Sequence, residues 1–389
     1  MPIINRIADF HGQMQEWRHD IHAHPEIAFE EDRTSDIVAR ELETFGIEVH
    51  RGLGKTGVVG VLKNGDGPSI GLRADMDALP IHEANDFDHR STIDGKMHAC
   101  GHDGHTSMLL GAAKYLAETR QFKGTINFIF QPAEEGEGGA RVMIEDGLFE
   151  KFPCGSVYGV HNMPGKETGS FHMRPGPLMA AYDSFQIKVR GRGCHGAMPH
   201  QGLDPIVVAS HIVTALQTIT SRNLNPVESA VISVTQIHAG DTNNVIPDSV
   251  FMEGTTRCFK PEIRDWIETS MQRVIDGVSE ALGAEVQFDY LRRYPATINH
   301  VAETEIAAKI AAEIAGEAKV TTDTPPTMGG EDFSFMLEKV PGCYLFIGNG
   351  ADQEEGSCMI HNPNYDFNDR ILPIGASYFS RLVETVLPA

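Results

Sequence analysis

Cysteine, histidine and glutamate residues that could bind metal occur at four places in the sequence. Cys100 and His102 lie two residues apart in Cys-Gly-His-Asp, directly before an apolar run that is typical of a helix. Thiolate and imidazole are ligands that first-row transition metals prefer. The other candidate ligands follow strand-like or turn segments: Glu134, Glu135, His161 and His361. These residue types predict a metal centre if the fold brings them together.

The adjacent glutamates, Glu134 and Glu135, suggest two different roles. In irregular structure, neighbouring side chains can point in different directions, so one carboxylate can bind metal while the other holds a water. A metal lowers the pKa of bound water toward about 7. A nearby carboxylate can then take the proton and return it to a leaving amine. The pair indicates metal-assisted hydrolysis, although a lone Glu-Glu pair is more often a solvated loop.

Strand-like and helix-like segments alternate before residue 183, which predicts a largely parallel sheet covered by helices. The predicted strands are 69–74, 125–130 and 156–160, and the predicted helices are 3–23, 34–45, 104–118 and 139–146. In such sheets, ligands bind beyond the carboxyl ends of the strands. We therefore expect the candidate ligands at that edge. At the end of the first helix, His22, His24 and Glu26 fit a metal site less well than a helix end capped by polar side chains.

The pattern changes between residues 183 and 293, where half-exposed strands and long helices follow the order β-α-β-β-α-β. This order is typical of an antiparallel sheet with helices on one face. After Pro295 the chain returns to helix and buried strand. The predicted organisation is an α/β domain, residues 1–182 and 294–389, with an inserted α+β (ferredoxin-like) domain, residues 183–293.

The segment Gly52-Leu-Gly-Lys-Thr-Gly57 matches the glycine pattern of a dinucleotide-binding loop. That fingerprint must open a helix. Here Val58-Val-Gly-Val-Leu follows, and this β-branched run predicts a strand. The sequence therefore argues against a nucleotide site and against a dehydrogenase.

The length, net charge and cysteine content of the chain limit the classes of partner that the protein can bind. A chain of 389 residues is long enough for about two domains. The formal net charge of −22 argues against nucleic acid or an anionic membrane as partner, and it means that an anionic substrate would need local arginines. No apolar run fits a signal peptide or a membrane span, and six scattered cysteines do not indicate a disulfide framework. We expect a cytoplasmic protein with reduced thiols.

Several long motifs resemble the M20D branch of the M20 metallopeptidases. They are Arg73-Ala-Asp-Met-Asp-Ala-Leu-Pro80, Met97-His-Ala-Cys-Gly-His-Asp-Gly-His105, Gln131-Pro-Ala-Glu-Glu-Gly136, Gly193-Cys-His-Gly-Ala-Met-Pro-His200, Asn244-Val-Ile-Pro-Asp248, Met328-Gly-Gly-Glu-Asp-Phe333 and His361-Asn-Pro-Asn-Tyr-Asp-Phe367. The resemblance implies a catalytic domain of the di-metal exopeptidase type with an inserted lid or dimerisation domain. It also implies hydrolysis of an N-acyl amino acid, as in hippurate and plant auxin-conjugate hydrolases. A dipeptidase or carboxypeptidase of the same fold, and a non-catalytic binding protein, are the alternatives.

The resemblance also assigns roles in the larger domain. The implied ligands of two divalent ions (Mn²⁺, Zn²⁺, Co²⁺ or Ni²⁺) are Cys100, His102, Glu135, His161 and His361. Glu134 becomes the general acid and base. Asp77 is expected to orient a ligand histidine, and Asp103 is a weaker candidate for the same task.

In the inserted domain, the resemblance implies that His195 steadies the oxyanion formed at the amide carbonyl, acting from its own chain or from a dimer partner. Asn244 and Arg257 are candidates to hold the substrate carboxylate, since an arginine fork suits a carboxylate. A strand-edge salt bridge is the alternative for Arg257. Gly330 is expected to present backbone N–H groups at a helix start. The implied assembly is a homodimer or a higher homo-oligomer formed through the inserted domain.

Overall fold

The structure is a computed structural model that describes residues 3–389. The chain forms two compact units. The larger unit contains the chain up to Leu178 together with Thr297–Pro325 and Asp332–Ala389, and the smaller unit contains Met179–Ala296 and Pro326–Glu331. Nothing in the sequence pattern marks the short segment Pro326–Glu331 as part of the smaller unit.

The larger unit is built on an eight-stranded sheet. Its strands lie in the order Glu48–Leu53, Gly57–Asn64, Gly124–Gln131, Ser69–Asp75, Ser156–Pro164, Gly342–Gly350, Phe171–His172 and Val320–Thr321. The four strands from Gly124–Gln131 to Gly342–Gly350 run parallel to one another. They are buried along almost their whole length, as their apolar sequences predict for a sheet covered on both faces.

Helices supply the apolar cover of this sheet. They are Asn5–Asp9, His11–Ala23, Asp32–Thr44, His102–Thr119, Gly139–Glu145, Leu148–Lys151, Val301–Ala315, Ser334–Leu337 and Leu372–Val386. The helix His102–Thr119 is the central one, because it packs against His11–Ala23, Leu372–Val386 and the strand Ser69–Asp75. The single helix predicted for residues 3–23 is wrong in one respect. It is interrupted at the buried Phe10, whose N–H donates to Ile7 O in a tightened turn.

The smaller unit contains a four-stranded antiparallel sheet in the order Ala230–His238, Ser249–Cys258, Ala181–Arg190 and Glu285–Tyr294. The helices Pro205–Thr218 and Pro261–Leu282 pack on it, and a π-helical turn, Ile219–Asn223, extends the first. Every second residue of Ser249–Cys258 is buried, as expected for a strand with one covered face. The element order is the predicted β-α-β-β-α-β. Within residues 3–389, no helix is both long and apolar enough to cross a membrane.

Candidate metal centre

The candidate ligands of the larger unit lie at one edge of the parallel sheet. His161 is in the strand Ser156–Pro164, and Glu134 and Glu135 follow the strand Gly124–Gln131. Cys100 and His102 flank Gly101, whose φ of +96° turns the chain into the helix His102–Thr119. A left-handed turn of this kind favours glycine, because a Cβ atom would clash with the following carbonyl. The edge position agrees with the rule for ligands in open α/β sheets.

The side chains converge in overlapping groups of three, within each of which the potential ligand atoms lie within 4.8 Å of one another. The groups are Cys100, His102 and His161; Cys100, Glu135 and His361; and His102, Glu134 and Glu135. His361 Nε2 lies 3.2 Å from Glu135 Oε1. The structure thus brings together every ligand candidate of the larger unit and the candidate acid and base, Glu134.

Hydrogen bonds select the histidine tautomers that a metal needs. His102 Nδ1 donates to Asp77 Oδ1 at 3.1 Å, so Asp77 contacts a candidate ligand histidine, as expected from the sequence. His161 Nδ1 donates to the carbonyl of Asn162 at 2.6 Å. In the neutral imidazole, both arrangements make Nε2 the nitrogen that can bind a metal, and His161 Nε2 lies 3.4 Å from Cys100 Sγ. His102 Nε2 is buried and has no hydrogen-bond partner among the described residues, and the buried Glu135 Oε1 has only the ion-pair contact with His361.

The electrostatics of the cluster favour a cation. Burial, and then the charges of Glu135 and Glu134, raise the pKa of the Cys100 thiol well above its ordinary value. Burial would lower the pKa of His102, but Asp75 and Asp77 outweigh it and raise that pKa to about 10. A set of one sulfur, three imidazoles and carboxylates, in which Cys100, His102 and His161 are buried and His361 is exposed, fits divalent transition metals.

Asn162 connects the segments that carry these ligands, and the sequence analysis missed it. Its Nδ2 donates to the carbonyl of Cys100 at 2.6 Å, and its Oδ1 accepts from Tyr365 Oη at 2.8 Å. The backbone N–H of Asn162 donates to His105 Nε2 at 3.0 Å, while His105 Nδ1 lies 2.6 Å from Asp75 Oδ1. The only signal in the sequence is that Asn162 is adjacent to His161.

Replacing Gly101 with Ala is expected to destabilise the metal-free protein by about 3 kcal/mol, because it combines a strained φ with a steric clash. A Cβ atom at Gly101 would lie 2.3 Å from Asn162 Nδ2 and 2.5 Å from Tyr365 Oη. Urea unfolding measures the loss. Gly277→Ala is the matched control, since a Cβ atom there meets nothing within 4 Å in the described chain. This control should gain up to ~1 kcal/mol of helix stability, and equal stability of the two variants would contradict the prediction.

Asp103 contacts groups other than the ligand histidines. Its carboxylate lies 2.9 Å from His22 Nδ1, and this partner, after the opposing effect of burial, helps to raise the pKa of His22 to about 9. Asp103 therefore belongs to a buried ion pair rather than orienting His102. At the end of the helix His11–Ala23, His24 Nδ1 donates to the carbonyl of Asp20 at 2.8 Å. This agrees with the capped helix end that the sequence favoured.

His195 and Asn244 belong to the smaller unit, where a short ribbon pairs Cys194–His195 with Val245–Ile246. Asn244 precedes the second strand of this ribbon, and its carbonyl accepts from Gly196 N at 2.8 Å. The N–H of Ala197 donates to His195 Nδ1 at 3.0 Å. The neutral imidazole therefore carries its proton on Nε2, and this exposed side chain is ready to donate a hydrogen bond.

Arg257 lies over the ring of Tyr182, with 4.2 Å between its Cζ and the ring centroid, and its Nε donates to the carbonyl of Met328. Within residues 3–389 no acidic side chain pairs with Arg257, so the salt bridge considered from the sequence is not formed.

The prediction that Gly330 lies at a helix start is wrong. The next helix begins at Ser334 and has four residues, so Gly330 lies outside any helix or strand, next to Tyr182, and not at a helix start.

The model of the protein family described as peptidase family M20/M25/M40 matches residues 71–385. The chain belongs to peptidase family M20/M25/M40. A hippurate hydrolase from Campylobacter jejuni is 43% identical over 98% of both chains. Thermostable carboxypeptidase 2 from Saccharolobus solfataricus is 38% identical over 97% of both chains.

Among solved structures, a dinuclear metal-binding peptidase of family M20 from Bacillus subtilis has a TM-score of 0.84 and 36% identity, covering 98% of this chain and 99% of that one. The predicted α/β fold class of this M20 protein is thereby confirmed. The same comparison supports an enzyme of the metal-binding M20 type.

Proposed function

We propose that this M20 enzyme hydrolyses the amide bond of N-acyl amino acids to a carboxylic acid and a free amino acid. The observation that carries the proposal is the convergence of Cys100, His102, Glu135, His161 and His361 beside a further buried carboxylate, Glu134. The similarity to a hippurate hydrolase at 43% identity supports this substrate class.

Those residues, apart from Glu134, would hold two divalent ions, Mn²⁺, Zn²⁺, Co²⁺ or Ni²⁺. When bound, such ions polarise a carbonyl and lower the pKa of water. Glu134 takes the proton of the attacking water and returns it to the departing amine. The N–H of Asp332 lies 3.4 Å from Glu134 Oε1, which restrains that carboxylate.

His195 donates its Nε2 proton to the oxyanion that develops on the amide carbonyl. Arg257 and Asn244 hold the substrate carboxylate. The smaller unit serves as lid and dimerisation domain, and its exposed apolar side chains Ile206, Val207 and Ile237 support a role in dimerisation.

Sedimentation velocity at micromolar concentration should show a dimer or a larger oligomer, and a monomer would contradict the proposed assembly.

A substrate panel tests the function. The enzyme is stripped with chelator and then supplied with Mn²⁺, Zn²⁺, Co²⁺ or Ni²⁺ separately, and hydrolysis of hippurate, several N-acetyl amino acids and two dipeptides is measured. We expect metal-restored cleavage of the acylated substrates. Cleavage of dipeptides alone would establish the peptidase alternative, which the similarity to a carboxypeptidase favours. No cleavage with any metal would contradict catalysis of either kind.

Arg257→Ala is expected to raise KM for hippurate by about 10- to 100-fold, because hydrogen bonds to a charged group contribute ~1.5–3 kcal/mol. The inhibition constant of benzoylglycinamide, which lacks the carboxylate, should stay unchanged. Arg190→Ala serves as control, since that exposed strand residue pairs with Glu285 in the same unit. Equal losses of affinity for the carboxylate and the amide would exclude Arg257 as the carboxylate partner.

A further inference from the structure

Glu31 is a fully buried carboxylate that the proposed mechanism does not use. Its Oε1 accepts from the backbone N–H of Phe29 at 3.1 Å and of Ala133 at 2.9 Å. Its Oε2 accepts from Thr56 Oγ1 at 2.5 Å. One carboxylate therefore joins three loops that are distant in sequence, and one of these loops contains Glu134.

Ala133, the residue directly before Glu134, has an unusual backbone conformation. Its φ is +55°, in the left-handed region that residues with a side chain rarely adopt. Such a conformation persists only where the surrounding contacts enforce it. Here the N–H of Ala133 is bound by Glu31, and its carbonyl accepts from Gly139 N at 2.9 Å. The direction in which the chain presents Glu134 thus depends on these two hydrogen bonds.

The glycine-rich loop 52–57 supports the same turn. A Cβ atom at Gly54 would lie 3.3 Å from the ring of Pro132, and one at Gly57 would lie 3.2 Å from it. The glycines therefore allow the loop backbone to approach the turn closely. The loop also contains Thr56, which donates to Glu31. Close packing on Met143 and Pro132 thus accounts for Gly54 and Gly57, two glycines of the pattern that resembled a nucleotide-binding loop.

We propose that Glu31 is a positioning residue for Glu134, acting through the Ala133 N–H and supported by Thr56. The inference rests on the proposed role of Glu134 as acid and base. Burial, and to a smaller extent the charge of Asp77, raise the pKa of Glu31 to about 7, so the site does not favour a negative charge. What the turn requires is an acceptor at Oε1, which a glutamine also supplies.

Steady-state kinetics and metal analysis of Glu31→Ala, Glu31→Gln and Thr56→Val test this role below the unfolding temperature of each variant. Glu31→Ala should lower kcat by about 10²-fold, since a misplacement of about 1 Å can have that effect. KM and the number of bound metal ions should stay at the wild-type values. Glu31→Gln should restore most of kcat, and Thr56→Val should lower kcat less than Glu31→Ala does. Glu30→Ala, an exposed neighbour, is the control.

Wild-type kcat in Glu31→Ala would overturn the inference, and so would a joint loss of kcat and bound metal, which indicates general support of the site. If Glu31→Ala does not fold, wild-type kcat in Thr56→Val, or a Glu31→Gln variant that folds but is inactive, overturns it instead. Glu134→Gln is measured in parallel. An active Glu134→Gln contradicts the proposed function, whereas an inactive Glu134→Gln beside a fully active Glu31→Ala contradicts only the role of Glu31.

Discussion

Glu134→Gln is expected to lower kcat by about 10³-fold while the enzyme keeps its metal, because general acid–base catalysis contributes roughly 10²–10⁴-fold. Glutamine has almost the same shape as glutamate, so the buried side chain should still fit beside the Asp332 N–H. It cannot take a proton from water or return one to the amine. We therefore expect kcat to fall while the number of bound metal ions stays unchanged.

Hydrolysis of hippurate and metal content by mass spectrometry of purified protein measure this prediction. Glu137→Gln is the matched control, since Glu137 is exposed in the same turn. Near-normal turnover of Glu134→Gln would remove Glu134 from the proton transfer. Loss of metal together with turnover would make Glu134 a ligand and would require another base.

Cys100→Ala is expected to abolish activity through loss of bound metal. Cys100 is shared by two groups of potential ligands, one with His102 and His161 and one with Glu135 and His361. Its removal therefore weakens both halves of the site. Without metal, the Cys100 thiol lies 3.4 Å from His161 Nε2 and close to Glu135. A thiol is only a weak hydrogen-bond donor, so alanine should lose little of this stabilisation. The metal-free variant should be about as stable as the metal-free wild type.

Thermal unfolding with and without metal separates these two effects. Metal at about 1,000 times its Kd stabilises a protein by ~4 kcal/mol, and this increment should largely disappear in Cys100→Ala. Cys154→Ala, a substitution of another free thiol in the larger unit, should keep the increment. An undiminished increment in Cys100→Ala would show that the thiol is not a ligand.

The sequence was sufficient to predict which side chains converge, because ligand chemistry and strand ends coincide at Cys100, Glu135 and His161. It was also sufficient for Asp77, whose carboxylate binds His102 as expected. It was insufficient for Asn162 and Glu31. Neither residue lies in a local pattern that points to its role, and their partners, such as Cys100 and Ala133, are 62 and 102 residues away in the chain.

Local context explains the remaining differences. Asp103 follows His102 directly, but the helix directs its carboxylate to His22 instead. Gly330 was expected at a helix start because Gly-Gly-Glu-Asp precedes an apolar run, yet only the four residues from Ser334 are helical. Both outcomes depend on contacts between distant segments, which periodicity does not report.

The long continuous part of the smaller unit, Met179–Ala296, begins and ends close to neighbouring strands. Ala181–Arg190 enters it, Glu285–Tyr294 leaves it, and the two pair antiparallel with Tyr182 opposite Tyr294. The more than one hundred residues in between therefore return the chain to almost the point where it left. For the rest of the protein, such an insertion is equivalent to a closed surface loop, and loop-closure entropy grows only slowly with length. The length of this insertion therefore adds little to the entropy cost of folding the larger unit.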